Sequence, residues 1–213
     1  MSKKLKYEDV VKNINTGDLI LFAGKDIDSK IIKKFIKTKW CHIGVAIKIP
    51  DWDIILLWEY SPTATLSDSL HGIKRRGVQI VPLERRLHEY NGEFSIRHLK
   101  EVDIEDEPLL KKTFVNYKKE VHHRYRDHGM VNGWKFRIEF AIDAIKSIFM
   151  KKSTNKKAIN CAHMVAELYQ RMGLLDKPPK GKNSWEFTPK DFTDEANIFL
   201  RRGYLSDQVD IEV

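Results

Sequence analysis

The chain is poor in cysteine, with Cys41 and Cys161 the two thiols among 213 residues. Two cysteines cannot build the disulfide framework of a small secreted domain, so free thiols in a reducing compartment are expected. Long apolar runs are also missing. No stretch reaches the ~18 residues of a membrane span, and the nearest, FRIEFAIDAIKSIFM, is interrupted by Arg137, Glu139, Asp143 and Lys146. The opening MSKKLKYEDVVKNI is basic but has no apolar centre, which argues against a signal peptide. There is no internal repeat and no low-complexity linker, and the length suits a single domain over 1–213.

What the chain has in quantity is charge: 32% of residues, with a formal net charge of +8. That balance favours anionic partners and also keeps a protein soluble. The basic runs KIIKKFIKTK, IKRRG and HHRYR carry no known nucleic-acid motif and read as solvated faces, so nucleic acid is not an expected partner.

Strand signals dominate the first half. NTGDLILF reads as a turn entering a strand, with Gly17-Asp18 as the turn. DSKIIKKFIKTKW has apolar residues at helical spacing, with Asp28 or Ser29 available as N-cap. CHIGVAIKI and IILLWEYS follow as strands joined by PDWD, a hairpin turn, and GVQIVPL and FSIRHL are further strands. Beyond residue 104 the pattern turns helical. DEPLLKKTFVNYKKEV, WKFRIEFAIDAIKSIFM and NCAHMVAELYQRMG are predicted helices, with HHRYRDHGMVNG as a loop between the first two. Asn160 is the expected N-cap of the third helix and Gly173 its stop. The tail KPPKGKNSWEFTPKDF reads as irregular. Strands first and helices later predict an α+β domain, with a helical, basic elaboration at about 104–158.

Cys161 falls in the first turn of its helix, where unpaired N–H groups and the helix dipole favour negative charge. Thiols so placed ionise more readily, and the thiolate is the reactive form. Cys161, Met164, Val165, Leu168 and Met172 also share one face, so the sulfur opens the buried side of the helix.

Along CHIGVAIKI, Ile43, Val45, Ile47 and Ile49 alternate with His42, Gly44 and Ala46. On the returning strand Glu59 shares a face with Leu57 and Ile55. An even-numbered turn, Pro50-Asp51 or Pro50 to Asp53, puts His42 and Glu59 on one face, opposite or diagonal. A carboxylate there orients the imidazole and stabilises its protonated form. By the same alternation Cys41 points away from His42.

The order TGDLILF, WCHIGVAI, LWEYSP, NCAHMVAELYQRMGLL and FTPKDF resembles the permuted papain-like amidases. These form the YiiX-like and YaeF-like branch of the NlpC superfamily, related to lecithin–retinol acyltransferase. The resemblance implies a circularly permuted papain-like fold, an antiparallel sheet or small barrel with helices packed on it. It also implies a thiol hydrolase acting on an amide or ester through an acyl-enzyme. Carried over, His42 is the base, Glu59 its orienting acid and Cys161 the nucleophile. The implied substrates are peptides, amides or lipid esters, with lipid acyltransferase or phospholipase-like activity on the same fold, or a catalytically inactive basic binding module, as the alternatives. The branch occurs in cells and large DNA viruses, so the expected location is cytoplasmic or virion-associated.

Two other site readings are weaker. A zinc site from Cys41, His42, Cys161 and His163 has poor spacing, because strand neighbours and helix residues two apart do not share a face. No metal and no cofactor is expected. The lysine-flanked helix near 29–39 suits an anionic membrane surface, although amphipathicity is the default for any surface helix.

Overall fold

The computed structural model describes residues 4–52, 54–61, 64–74, 76–124, 160–196 and 198–213. The predicted helix WKFRIEFAIDAIKSIFM and most of HHRYRDHGMVNG lie outside the described residues.

The architecture is α+β, built on a mostly antiparallel seven-stranded sheet. Its strands are β1 (Lys4–Lys6), β2 (Leu19–Gly24), β3 (His42–Ile49), β4 (Ile54–Ser61), β5 (Gly77–Pro82), β6 (Gly92–Arg97) and β9 (Val209–Glu212), in the order β1-β9-β6-β2-β3-β4-β5. Among the described residues only β1 and β9 pair in parallel. Strands β7 (Leu99–Lys100) and β8 (Tyr204–Leu205) form a separate two-stranded ribbon.

The alternation read from the sequence assigns the two faces. Leu19, Leu21, Ile43, Val45, Trp58 and Ile80 pack with the helices α4 (Pro108–Arg124) and α5 (Cys161–Arg171). Ile20, Phe22, Ala46 and Leu57 pack with α1 (Tyr7–Val10) and α3 (Leu83–Glu89). Burial on both faces explains why β2 is apolar along its whole length.

Glycine has a defined task at the opening turn. Gly17 adopts φ +100°, and a Cβ there would lie 2.5 Å from the Ile104 side chain. Its carbonyl accepts the Tyr169 hydroxyl from α5 at 2.8 Å. Asp18 is buried and accepts from the backbone N–H groups of Asn15 and Leu99. The Gly-Asp pair therefore fastens β2 to β6–β7 and α5.

Several local expectations need correction. Helix α2 (Ile27–Ile36) is capped by Asp26, whose carboxylate accepts the Ser29 N–H, and not by Asp28 or Ser29. Helix α4 continues through Arg124, so His122 and His123 belong to it and not to a loop. The heptapeptide LERRLHE, unassigned from sequence, is α3, and the charged ends of the chain supply β1 and β9. Among the described residues no helix is long and apolar enough to cross a membrane. In α2, Ile32 and Ile36 pack on Cys41, and Lys33 donates to the Gly24 carbonyl at 2.6 Å. Of the apolar stripe that suited a membrane surface, Ile32 and Ile36 thus face the protein, while Ile31 is exposed.

Candidate active site

The geometry begins with turn parity. Ile49 pairs with Ile54, leaving a four-residue connection, 50–53, between β3 and β4. The even number puts Gly44 directly opposite Glu59, with His42 diagonal to it on the same face. Gly44 keeps that approach close, since a Cβ would stand 2.7 Å from the Leu57 side chain and 3.1 Å from the Trp58 carbonyl oxygen. His42 Nε2 lies 2.6 Å from Glu59 Oε2.

Glu59 is wholly buried, and a carboxylate there must be compensated. Arg86 of α3 donates from Nε to Oε1 at 2.8 Å and from Nη2 to Oε2 at 3.4 Å. Gln79, directly across on β5, donates from Nε2 to Oε1 at 2.7 Å. Burial alone would raise the Glu59 pKa. The Arg86 charge, the His42 contacts and the Gln79 hydrogen bond outweigh it and hold the group at about 2. The carboxylate is therefore ionised throughout the physiological range.

Cys161 is the first residue of α5, and its thiol is buried. Asn160 caps the helix, its Oδ1 accepting the His163 N–H at 2.8 Å. The Cys161 thiol lies near enough to the His42 ring to act on it electrostatically. Burial lowers the His42 pKa, but Cys161, followed by Glu59, more than reverses this and raises it to about 10. With Nε2 held by Glu59, Nδ1 is the ring nitrogen that the carboxylate does not engage. Phe22 packs on the ring at 5.2 Å between centroids and helps fix its plane.

The structure thus brings together His42, Glu59 and Cys161, the three residues singled out from sequence. Gln79 and Arg86 were missed. A glutamine in the apolar strand GVQIVPL was a usable signal, whereas nothing local distinguishes Arg86 from Arg85.

Cys41 lies elsewhere. Its N–H donates to the Phe22 carbonyl at 2.9 Å although Phe22 pairs with His42, so two residues oppose one, as in a β-bulge. Strict alternation therefore fails at Cys41. Its sulfur accepts the Gly24 N–H at 3.3 Å and lies 3.8 Å from the Tyr90 hydroxyl. His163 points to Glu167 on its own helix, with Nε2 and Oε2 3.6 Å apart. Cys41, His42, Cys161 and His163 do not assemble as a metal site. A different group does converge: Asp68, His71 and His122.

Comparison with protein-family models and with curated proteins finds no match. Among solved structures, the chain is distantly similar to one described as the metalloprotein YiiX from Escherichia coli O157:H7, DUF1105. The identity is 16% and the TM-score 0.46, over 74% of this chain. This chain spans 66% of that protein's length, just under two thirds.

Proposed function

We propose that the protein is a cysteine hydrolase that cleaves an amide or ester bond through an acyl-enzyme on Cys161. The observation that carries this reading is the buried His42–Glu59 pair beside a thiol at a helix N-terminus. In this reading the fold is of the permuted papain-like, NlpC type. The substrate is a peptide, another amide or a lipid ester.

The chemistry follows from the placement of charge. His42 Nδ1 takes the thiol proton, and Glu59, held ionised by Arg86, stabilises the resulting imidazolium. The raised pKa of His42 favours that charged form beside a thiolate. The thiolate attacks the carbonyl carbon, and negative charge grows on the carbonyl oxygen. The Cys161 backbone N–H, at the start of α5, is an oxyanion donor of the right kind. His42 then returns its proton to the leaving amine or alcohol, leaving an acyl thioester. Water attack on that thioester, with His42 again as base, completes hydrolysis.

The test is mass spectrometry of the protein after incubation with peptide and with lipid extracts. The expected result is an acyl mass on the Cys161 peptide, whose composition identifies the substrate class. A Cys161→Ser protein should acquire no acyl mass, because the hydroxyl proton is far harder to remove and the oxygen ester does not form. No adduct and no turnover on either extract, with charge reversal of Lys34 and Lys37 abolishing lipid or peptide binding, would instead favour a basic binding module.

A further inference from the structure

We propose that Asp68, His71 and His122 form a binding site for a divalent transition-metal ion of the zinc class. The site is separate from the Cys161 centre, and neither reading depends on the other.

Three ligand atoms from distant parts of the chain converge there, all within 4.8 Å of one another. His71 Nδ1 lies 2.6 Å from Asp68 Oδ2, and His122 Nε2 lies 3.3 Å from the same oxygen. The two imidazoles stack at 5.2 Å between centroids with only 13° between their planes. Two imidazoles and a carboxylate are a common donor set for zinc, which then keeps an open position for water. Ligands about 2.0–2.1 Å from a tetrahedral zinc ion stand roughly 3.3 Å apart. The Asp68–His122 spacing already has that value, and the Asp68–His71 contact needs to open by less than about 1 Å to match it.

The surroundings fit a metal better than a chance cluster. Asp68 is completely buried, and its Oδ2 is the point on which His71 Nδ1 and His122 Nε2 converge. The other carboxylate oxygen, Oδ1, accepts the Ile80 N–H at 2.8 Å, which orients the ligand as an outer-shell bond does in metal sites. The backbone reinforces this. Asp68 N–H donates to the Ile73 carbonyl, Ser69 N–H to the Ile80 carbonyl, and His71 and Gly72 N–H to the Asp68 carbonyl. The loop is thereby clamped along β5, the edge strand of the sheet. His122 is 4% exposed, whereas the His71 side chain is 36% exposed and provides the entry route. A metal here ties the loop around residues 66–74 to the end of α4.

The full-length protein, stripped with chelator, is titrated with Zn2+ against a chromophoric competitor and separately with Co2+. The expected result is one tight ion per chain and a higher Tm when it is bound. The Co2+ spectrum should show d–d bands without thiolate-to-metal charge transfer. His71→Ala, a substitution at a partly exposed position, should weaken Zn2+ binding by about 100-fold or more while the stripped protein keeps its circular dichroism. Asp68→Asn should abolish it. Absence of tight binding, undiminished affinity in His71→Ala, or a thiolate charge-transfer band that assigns the metal to Cys41 or Cys161 would each overturn the proposal.

Discussion

His42 and Glu59 meet diagonally across β3 and β4, and the 2.6 Å contact between Nε2 and Oε2 is one of four hydrogen bonds on the carboxylate. The other three, from Arg86 and Gln79, make this carboxylate an anchor for α3 and β5 as well as for the imidazole.

That dual role predicts a mixed phenotype for Glu59→Gln. Breaking a buried ion pair from one side strands the other charge and costs about 3–5 kcal/mol. Urea unfolding should show a loss of this order, because the Arg86 guanidinium is buried. Adding Arg86→Met should recover much of it. Turnover should fall less in Glu59→Gln than in Cys161→Ser, since the amide still holds the ring and only the charged form loses support.

The two titrating groups give opposite pH signatures. His42 has a folded pKa of about 10 against 6.5 for the free side chain. Its contribution to stability is complete below 6.5 and is lost as pH climbs through about 10. Glu59 is depressed from 4.5 to about 2, so its contribution is complete above 4.5 and is lost as pH falls toward 2. The stability difference between the wild type and His42→Ala should therefore shrink on the alkaline side. For the wild type against Glu59→Gln it should shrink on the acid side. Chemical denaturation across pH checks both, and pH-independent differences would contradict the assignment.

The His42–Glu59 pair was legible in the sequence because strand alternation and turn parity are local rules. The four-residue turn after Ile49 was enough to put His42 and Glu59 on one face. Arg86 was not legible, because its burial depends on how a short, charged helix docks onto β4 and β5. Asp68 and His122 are 54 residues apart and meet only through packing of α4 on the sheet edge. At Cys41 the local rule itself failed, because a bulge interrupts the alternation. Asp26 displaced the expected caps of α2 since the helix begins two or three residues earlier than its apolar spacing indicates.

Gly17 offers a test of the scaffold beneath the site. Gly17→Ala would place a methyl 2.5 Å from Ile104 in a backbone conformation that side chains rarely adopt. A loss of about 1–3 kcal/mol is expected from strain of this kind. Because Tyr169 of α5 bonds to the Gly17 carbonyl, the variant should also disturb the helix that begins with Cys161. Thermal melting together with hydrogen exchange on α5 amides checks both effects.

The central claim is that Cys161 is the reactive thiol and that His42 makes it so. Limiting iodoacetamide near neutral pH, with the adducts mapped by peptide mass and timed in the wild type and in His42→Ala, tests it most directly. The account predicts alkylation of Cys161 well before Cys41, and slower labelling of Cys161 once the imidazole is gone. Preferential labelling of Cys41, or an unchanged Cys161 rate in His42→Ala, would contradict it.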